Sequence, residues 1–158
     1  MSLIDDRLQT LGIVLPDAMP PVVAGYAPAF LPFVQTGDQV HLSGRLSKRN
    51  GDLLLGKVGA ELTLEQGKFA AREVAIELLA VLKSAVGDLD RVRKIVKLFV
   101  MVNSTSQFNE PHRVADGASE LLVEVFGEQG RHARTAVGVA QLPFGACIEI
   151  DMLASVYP

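Results

Sequence analysis

The stretch His132–Asp151, HARTAVGVAQLPFGACIEID, decides the fold of this chain because it contains two strand patterns separated by a turn. Apolar residues alternate on both sides of the turn, at the period of a strand with one buried face. This alternation falls on Val137, Val139, Ile148 and Ile150. Pro143 and Gly145, which lie between the two runs, are typical turn residues. The spacing therefore predicts a β-hairpin.

The same alternation assigns the side chains of the predicted hairpin to two faces. The apolar face is expected to contain Ala133, Thr135, Val137, Val139, Ala146, Ile148, Ile150, Met152 and Ala154. Arg134 then shares the opposite face with Glu149 and Asp151, above the small residues Ala136 and Gly138. A cation, two carboxylates and a floor of small residues predict a pocket for a small polar ligand. In the alternative interpretation Arg134 is solvated or loosely paired with an acid, which contributes about 0–1 kcal/mol.

Length, composition and net charge limit the classes of protein to which this chain can belong. The chain has 158 residues, 49% of them hydrophobic, which suits one domain with a substantial core. The net charge of −3 and the lack of a basic stripe disfavour nucleic acids and anionic membranes as partners. No apolar run is long enough for a transmembrane helix, and Asp5 and Asp6 precede Arg7, unlike a secretory signal. A soluble, cytoplasmic protein is expected.

The first third of the chain predicts an arm and short strands. Residues 1–25 are interpreted as a helix over Ser2–Leu11 followed by an extended, proline-rich arm, attached to a single domain over 1–158. Strands are expected at Phe33–Thr36 and Gln39–Ser43, with Val40 and Leu42 facing the core. The stretch Arg45–Gly59 contains the turn signal Asn50-Gly51 and is either a second hairpin or a long loop.

The middle of the chain predicts two helices around a strand. Thr63–Val86 begins with the capping-box pattern T-x-x-Q and ends before Gly87. Val92–Val102 is expected to be a central strand, with Val96, Leu98, Val100 and Val102 on one face. Glu110–Phe126 has Pro111 in its first turn, and Gly117 inside it suggests close packing. The order ββ(β)αβαββ predicts an α+β fold, a single mixed β-sheet with two helices packed on one face.

The other face of this sheet would be apolar. It is expected to carry Phe33, Phe99, Met101 and Leu153, a patch that a closed homo-oligomer would bury.

Other chemistries find little support in the sequence. No phosphate-binding glycine motif is present, and His41, His112 and His132 are far apart, so no metal site is expected. The single cysteine, Cys147, excludes an intramolecular disulfide and is either a pocket thiol or a small buried residue. Ser43 has no evident His–Asp partner for a hydrolase triad.

The run Ala133-Arg134-Thr135-Ala136-Val137, with Leu142-Pro143 and Ile148-Glu149-Ile150 after it, resembles the C-terminal signature of the YjgF (Rid) family. Leu42-Ser43-Gly44 is similar to an early strand of that family, and the resemblance covers about residues 26–157. Members are reactive-intermediate deaminases, often labelled L-PSP endoribonucleases or translation inhibitors. The resemblance implies a chorismate-mutase-like fold, a homotrimer with sites between subunits, and hydrolysis of 2-imino acids to 2-keto acids and ammonia. It implies no metal and no organic cofactor.

The resemblance also implies roles for individual residues. Arg134 matches the arginine that binds the substrate carboxylate, and Glu149 matches the acid that polarises the attacking water. Ser43 matches a pocket serine, and backbone groups of Thr135 and Ala136 would contact the substrate. The alternative is that Glu149 is an ordinary carboxylate on the wet face of a strand and Ser43 a hydroxyl at a strand end.

The chain departs from the best-known members at four positions. Phe33 replaces a pocket tyrosine, Ala136 a cysteine, Gly138 a glutamate, and Asp116 an asparagine of the second helix. These changes indicate a divergent subgroup with a larger or more apolar pocket. Three hypotheses follow: an imine deaminase, a non-catalytic binder of small carboxylates, and an endoribonuclease, which the net charge of −3 disfavours.

Overall fold

A computed structural model describes residues 2–18 and 25–158 of the chain, and their fold combines three α-helices with seven strands. The helices are α1 (Leu3–Thr10), α2 (Leu64–Val86) and α3 (Pro111–Phe126). The strands are β1 (Phe33–Thr36), β2 (Gln39–Leu46), β3 (Lys48–Arg49), β4 (Asp52–Leu53), β5 (Val92–Asn103), β6 (Ala133–Val139) and β7 (Ile148–Val156). Five strands form one sheet in the order β1-β2-β7-β5-β6, and β3 pairs with β4 separately.

The predicted α+β class is confirmed, because α2 and α3 pack together on one face of a mixed sheet. Helix α2 begins with the predicted capping box: the Thr63 hydroxyl accepts from the Gln66 N–H, and the Gln66 side chain accepts from the Thr63 N–H. Gly87 ends this helix with a φ of 80°. Pro111 opens α3 as predicted. Short β3 and β4 around Asn50-Gly51 show that the stretch after Arg45 contains a second hairpin.

Gly117 marks a close approach of the two long helices. A Cβ atom at this position of α3 would lie 1.9 Å from the main-chain carbonyl oxygen of Lys68 in α2. The sequence-based suggestion of close packing is therefore confirmed. Leu121 and Leu122 of α3 and Leu78 of α2 are fully buried in the same core.

The predicted hairpin over His132–Asp151 is wrong. Strand β6 pairs in parallel with β5, and β7 pairs antiparallel with the other edge of β5. The segment between β6 and β7 passes the end of β5: the Asn103 N–H donates to the Cys147 carbonyl, and the Ser104 N–H donates to the Val139 carbonyl. The reason is that β5, α3 and β6 form a β-α-β unit, whose crossover sets the two strands side by side.

The strand pairing also reverses the predicted faces of β6. Arg134 is the partner of the buried Leu98, so it lies on the helix side of the sheet. Ala136 is the partner of Val100 and packs against the core. Thr135 is the partner of Phe99 and therefore lies on the opposite face, which the helices leave open. The predicted core positions Ala133, Thr135, Val137 and Val139 thus lie on this open face.

Two further assignments differ from the prediction. Phe33 is the partner of the buried Leu42 and packs against the core, so Val34, 50% exposed, takes its place on the open face. Ile95 replaces Val96 in the core because the β5–β7 register shifts between Ile95 and Lys97. Phe99, Met101 and Leu153 lie on the open face as predicted and are partly exposed.

The N-terminal part of the chain is described over residues 2–18. The predicted helix is present as α1, and the Ser2 hydroxyl accepts from the Asp5 N–H and caps it. Ile13 and Leu15 pack against the core beyond the helix. Of the arm predicted within residues 1–25, residues 1 and 19–24 lie outside the described residues. Within the described ranges, no helix has both the length and the apolar character needed to span a membrane.

Candidate functional site

Arg134 is held against α3 by three hydrogen bonds. Its Nη1 donates to Asp116 Oδ1 at 2.8 Å and to Ser119 Oγ at 3.1 Å, and its Nη2 donates to the His112 carbonyl oxygen at 3.2 Å. The acceptors line up because Asp116 and Ser119 are three residues apart on one helix face. The Arg134 side chain keeps 23% of its surface exposed. Its guanidinium is therefore oriented but still accessible.

Some N–H donors of this guanidinium have no hydrogen-bond partner among the described residues. An arginine carries five N–H donors, and the three bonds to α3 occupy both Nη1 donors and one on Nη2. Within residues 2–18 and 25–158, no acceptor lies within hydrogen-bond distance of Nε–H or the second Nη2–H of Arg134. Two neighbouring donors of the planar fork match the two oxygens of a carboxylate.

A hydrogen-bonded chain behind Arg134 fixes the Ser119 hydroxyl. His132 Nδ1 lies 2.7 Å from the Gly130 carbonyl oxygen, which only accepts, so Nδ1 carries the proton. Nε2, 3.0 Å from Ser119 Oγ, then accepts from the serine hydroxyl. Burial lowers the pKa of His132, and the Arg134 and Lys94 charges add to this shift while the bond to Gly130 opposes it. The neutral imidazole leaves the serine oxygen free to accept from Arg134.

Glu149 lies on the open face, at the start of β7. Burial raises the pKa of this carboxyl, and the neighbouring Asp151 carboxylate raises it further. No hydrogen bond from the described residues offsets that shift. Burial likewise raises the pKa of Asp151, although the Lys97 charge opposes it. A carboxyl group whose pKa is shifted towards neutrality is suited to exchange protons with a bound ligand or water.

Gly44 allows the close approach of β2 to this carboxylate. A Cβ atom at Gly44 would lie 2.4 Å from Glu149 Oε1, closer than atoms of neighbouring residues can come. Ser43, just before it, donates its hydroxyl to the Leu31 carbonyl oxygen at 2.6 Å and holds the chain before β1. Ser43 is therefore next to the glycine that lies against Glu149, while its hydroxyl is used structurally.

The structure does not bring all of the predicted site residues together in one subunit. Arg134, Asp116 and Ala136 lie on the helix side at the edge strand β6. Glu149 and Asp151 lie on the open face of β7, with β5 between the two strands. Phe33 packs into the core, and the Thr135 hydroxyl accepts from Lys97 Nζ at 2.8 Å. The prediction that Arg134, Glu149 and Asp151 form a pocket on one face is therefore wrong for a single chain.

A cavity of about 350 Å³ adjoins Glu149 on the side of β2. Besides Gly44 and Glu149, its lining includes five large side chains that are apolar or aromatic: Tyr26, Phe30, Leu46, Leu53 and Phe144. Sequence reasoning missed these residues because they come from distant segments without a motif. Ser119 was also missed, although its spacing of three residues from Asp116 on a predicted helix was a usable signal.

The structure also bears on two other candidate functions, a reactive cysteine and a metal site. Cys147 is fully buried, and burial raises the pKa of its thiol to about 12, so it is the small buried residue and not a reactive thiol. Across residues 2–18 and 25–158, no three histidine, cysteine or acidic side chains lie together in a way that would hold a metal ion.

The raised pKa of Glu149 predicts a stability effect of Glu149→Gln. Because the folded state holds this proton more tightly than the unfolded chain, stability falls as pH rises from about 4, the ordinary glutamate pKa, through the folded pKa. Glu149→Gln removes the ionisation and should raise the melting temperature at pH 7, by about 2–4 °C for each kcal/mol gained. Below pH 4 the gain should vanish.

Thermal melts of wild type and Glu149→Gln from pH 3 to 8 measure this gain in melting temperature. The exposed, ion-paired Glu128→Gln is the control. An equal gain at every pH would contradict the raised pKa of Glu149.

Comparisons with known proteins show which family model and which proteins the chain is similar to. A family model described as "YjgF/chorismate mutase-like, putative endoribonuclease" matches residues 5–156. Protein TCP17 of Trypanosoma cruzi is 50% identical over 149 residues, which cover 93% of this chain and 90% of that protein. The crystal structure of protein Atu1372 from Agrobacterium tumefaciens has a TM-score of 0.87 at 38% identity, covering 99% of this chain and 94% of that one. RidA of a Psychrobacter species shares the fold, with a TM-score of 0.55 at 24% identity over 90% of this chain and 98% of its own.

Proposed function

Because the chain belongs to the YjgF/chorismate mutase-like (Rid) family, we propose that it hydrolyses 2-imino acids to 2-keto acids and ammonia. The observation that carries the proposal is Arg134, held in place by three hydrogen bonds while two adjacent N–H donors stay available for a carboxylate. A 2-imino acid has its carboxylate next to the C=N carbon, so binding the carboxylate positions the reacting atom. Hydrogen bonds to a charged group contribute about 1.5–3 kcal/mol each.

The proposed reaction uses Glu149 for proton transfer. Water adds to the C=N carbon, one of its protons passes through Glu149 to the nitrogen, and a tetrahedral amino alcohol forms. Glu149 then takes the proton of the new hydroxyl group and gives it to the amino nitrogen, the carbon–nitrogen bond breaks, ammonia leaves, and the oxygen becomes the keto group. The raised pKa of Glu149 suits both steps, since the group must both accept and return a proton. The residues used here need neither a metal nor an organic cofactor.

The proposed assembly is a homotrimer with its sites between subunits. One chain separates Arg134 and Glu149 by a strand and by opposite sheet faces, so a site that uses both needs a second copy. The open face carries the apolar side chains Val34, Phe99, Met101 and Leu153, which a closed oligomer would bury. Light scattering should give a mass near three times 17.0 kDa; a monomeric mass would contradict the assembly.

The activity is tested by generating a 2-imino acid in place with an amino-acid oxidase and trapping it with semicarbazide. If the proposal is right, added protein lowers semicarbazone formation in proportion to its concentration. No effect with any of several small and large amino acids would overturn the deaminase function. Binding of 2-keto acids without turnover would then identify a carboxylate-binding protein. Cleavage of RNA by nuclease-free protein would instead support the endoribonuclease description that the family model carries.

Ser119→Ala should raise the KM for a 2-imino acid about tenfold with a smaller change in kcat. The substitution removes one of the three hydrogen bonds that orient Arg134, and a charged hydrogen bond of about 1.5 kcal/mol corresponds to about tenfold in affinity. Ser119→Thr keeps the hydroxyl and should retain most of the affinity. Ser84→Ala, which removes a hydroxyl bonded within α2, is the control. An unchanged KM would show that Ser119 does not position the arginine.

A further inference from the structure

We propose that the cavity beside Glu149 holds the side chain of the substrate and selects 2-imino acids with large apolar or aromatic side chains. The inference rests on the proposed function, since it places the reacting carbon near Glu149. The cavity has about 350 Å³, within the range of small-molecule sites, which is about 300–1,000 Å³.

The cavity exists because β1 covers only part of β2. Pairing between these strands ends at Phe33 and Leu42, so that, within residues 2–18 and 25–158, no strand lies beside the edge of β2 from Gly44 to Leu46. Segments from elsewhere in the chain surround this edge: residues 26–30, the β3–β4 hairpin and the 143–145 turn.

The walls of the cavity are aromatic. Tyr26, Phe30 and Phe144 line it although they are 48%, 46% and 50% exposed, which groups three of the large exposed apolar side chains around one opening. The rings of Tyr26 and Phe144 meet edge to face at 6.2 Å. Phe144 has a φ of 59°, a strained conformation for a bulky residue that occurs at ligand-binding positions.

The formal charges of the lining balance, because the two cations Arg45 and Lys48 are matched by the two carboxylates Glu77 and Glu149. Lys48 Nζ and Glu77 Oε2 form an ion pair at 3.3 Å and offset each other. Burial lowers the pKa of Arg45, and the Glu77 charge opposes this shift, so the three side chains form one electrostatic group. The surface left for a ligand is then that of Leu46, Leu53 and the aromatic rings.

The cavity is correctly placed for a substrate side chain. Leu46 is the register partner of Glu149, and Gly44 lies against the Glu149 carboxylate. A substrate whose C2 atom is next to Glu149 would therefore project its side chain along Leu46 towards Phe144. A methyl side chain would leave most of this space unfilled. Each additional buried methylene should increase kcat/KM about fourfold.

The test compares imines made from leucine, phenylalanine and alanine, with semicarbazide as the competing trap. Wild type should hydrolyse the two large imines with a kcat/KM at least about tenfold above that for the alanine imine. Leu53→Trp, which fills the cavity, should lower kcat/KM for the two large imines much more than for the alanine imine and so remove this preference. Leu55→Trp is the matched control, because Leu55 is 53% exposed, two residues away and outside the lining.

The outcomes separate this inference from the proposed function. Equal rates for large and small imines, or a preference that Leu53→Trp leaves intact, would overturn the cavity as the side-chain site. If no imine is hydrolysed, calorimetry with pyruvate and 4-methyl-2-oxopentanoate tests the cavity without turnover. Binding of the larger keto acid at least about tenfold tighter, lost in Leu53→Trp but not in Leu55→Trp, would support the cavity although the proposed reaction had failed. Equal binding of both would overturn it.

Discussion

Replacing Arg134 by alanine should lower kcat/KM for 2-imino acid hydrolysis by at least about a hundredfold. The reason is the loss of two charged hydrogen bonds to the substrate carboxylate, each contributing about 1.5 kcal/mol or more, where 1.4 kcal/mol is a factor of ten. Arg134→Lys should recover little of this, because an ammonium group lacks the planar fork that α3 orients. The semicarbazide competition assay with purified variants measures both effects.

The same substitution should leave the fold nearly unchanged. The ion pair of Arg134 with Asp116 is partly exposed, with 23% and 42% of the side-chain surfaces accessible, and such pairs stabilise by about 0–1 kcal/mol. Arg131→Ala provides a matched control, since Arg131 is a more exposed arginine nearby that is paired with Glu128. A large loss of stability, or an equal loss of activity in Arg131→Ala, would contradict a direct role of Arg134 in binding.

Mixing two inactive variants should restore activity if the site lies between subunits. Arg134→Ala keeps Glu149, and Glu149→Gln keeps Arg134, so an interface between one subunit of each kind can contain both groups. In a trimer assembled at random from equal amounts, about a quarter of the sites have the correct combination. Co-refolded protein should therefore show up to about a quarter of wild-type activity. No recovery in co-refolded trimers would show that both groups act within one subunit.

Gly117→Ala should destabilise the protein strongly, although alanine is the better helix former. Alanine gains about 1 kcal/mol over glycine in a helix interior, but the added Cβ would lie 1.9 Å from the Lys68 carbonyl oxygen. That contact is with main chain, so α2 and α3 must move apart, and such overpacking costs about 1–3 kcal/mol or more. Denaturant unfolding at fixed protein concentration should show a clear fall in the midpoint.

Gly67→Ala is the matched comparison for this effect. Gly67 is also a buried helix glycine, but its added Cβ would meet side-chain methyls, the nearest being Val58 Cγ2 at 2.9 Å. Side chains shift more readily than main chain, so Gly67→Ala should destabilise less than Gly117→Ala. If Gly117→Ala were neutral or stabilising, the helices would not be in the close contact described here.

The sequence by itself determined the parts of the fold that depend on local interactions. The Thr63 capping box, the stop at Gly87 and the start of α3 at Pro111 all involve residues within one helical turn, so their patterns are visible along the chain. The C-terminal signature likewise identified the family and singled out Arg134 and Glu149. Alternation within each strand also identified Ile148, Ile150 and Met152 as core residues, which the structure confirms.

Only the tertiary structure decided which strands are neighbours, and with that the geometry of the site. Two alternating runs joined by a proline-glycine turn fit a hairpin equally well, but β5 pairs with both and lies between them. This arrangement turned Arg134 towards Asp116 and away from Glu149, because a residue's face is set by the partner strand and register. The cavity at the β2 edge has the same origin, since it joins segments far apart in sequence whose contact no local pattern encodes.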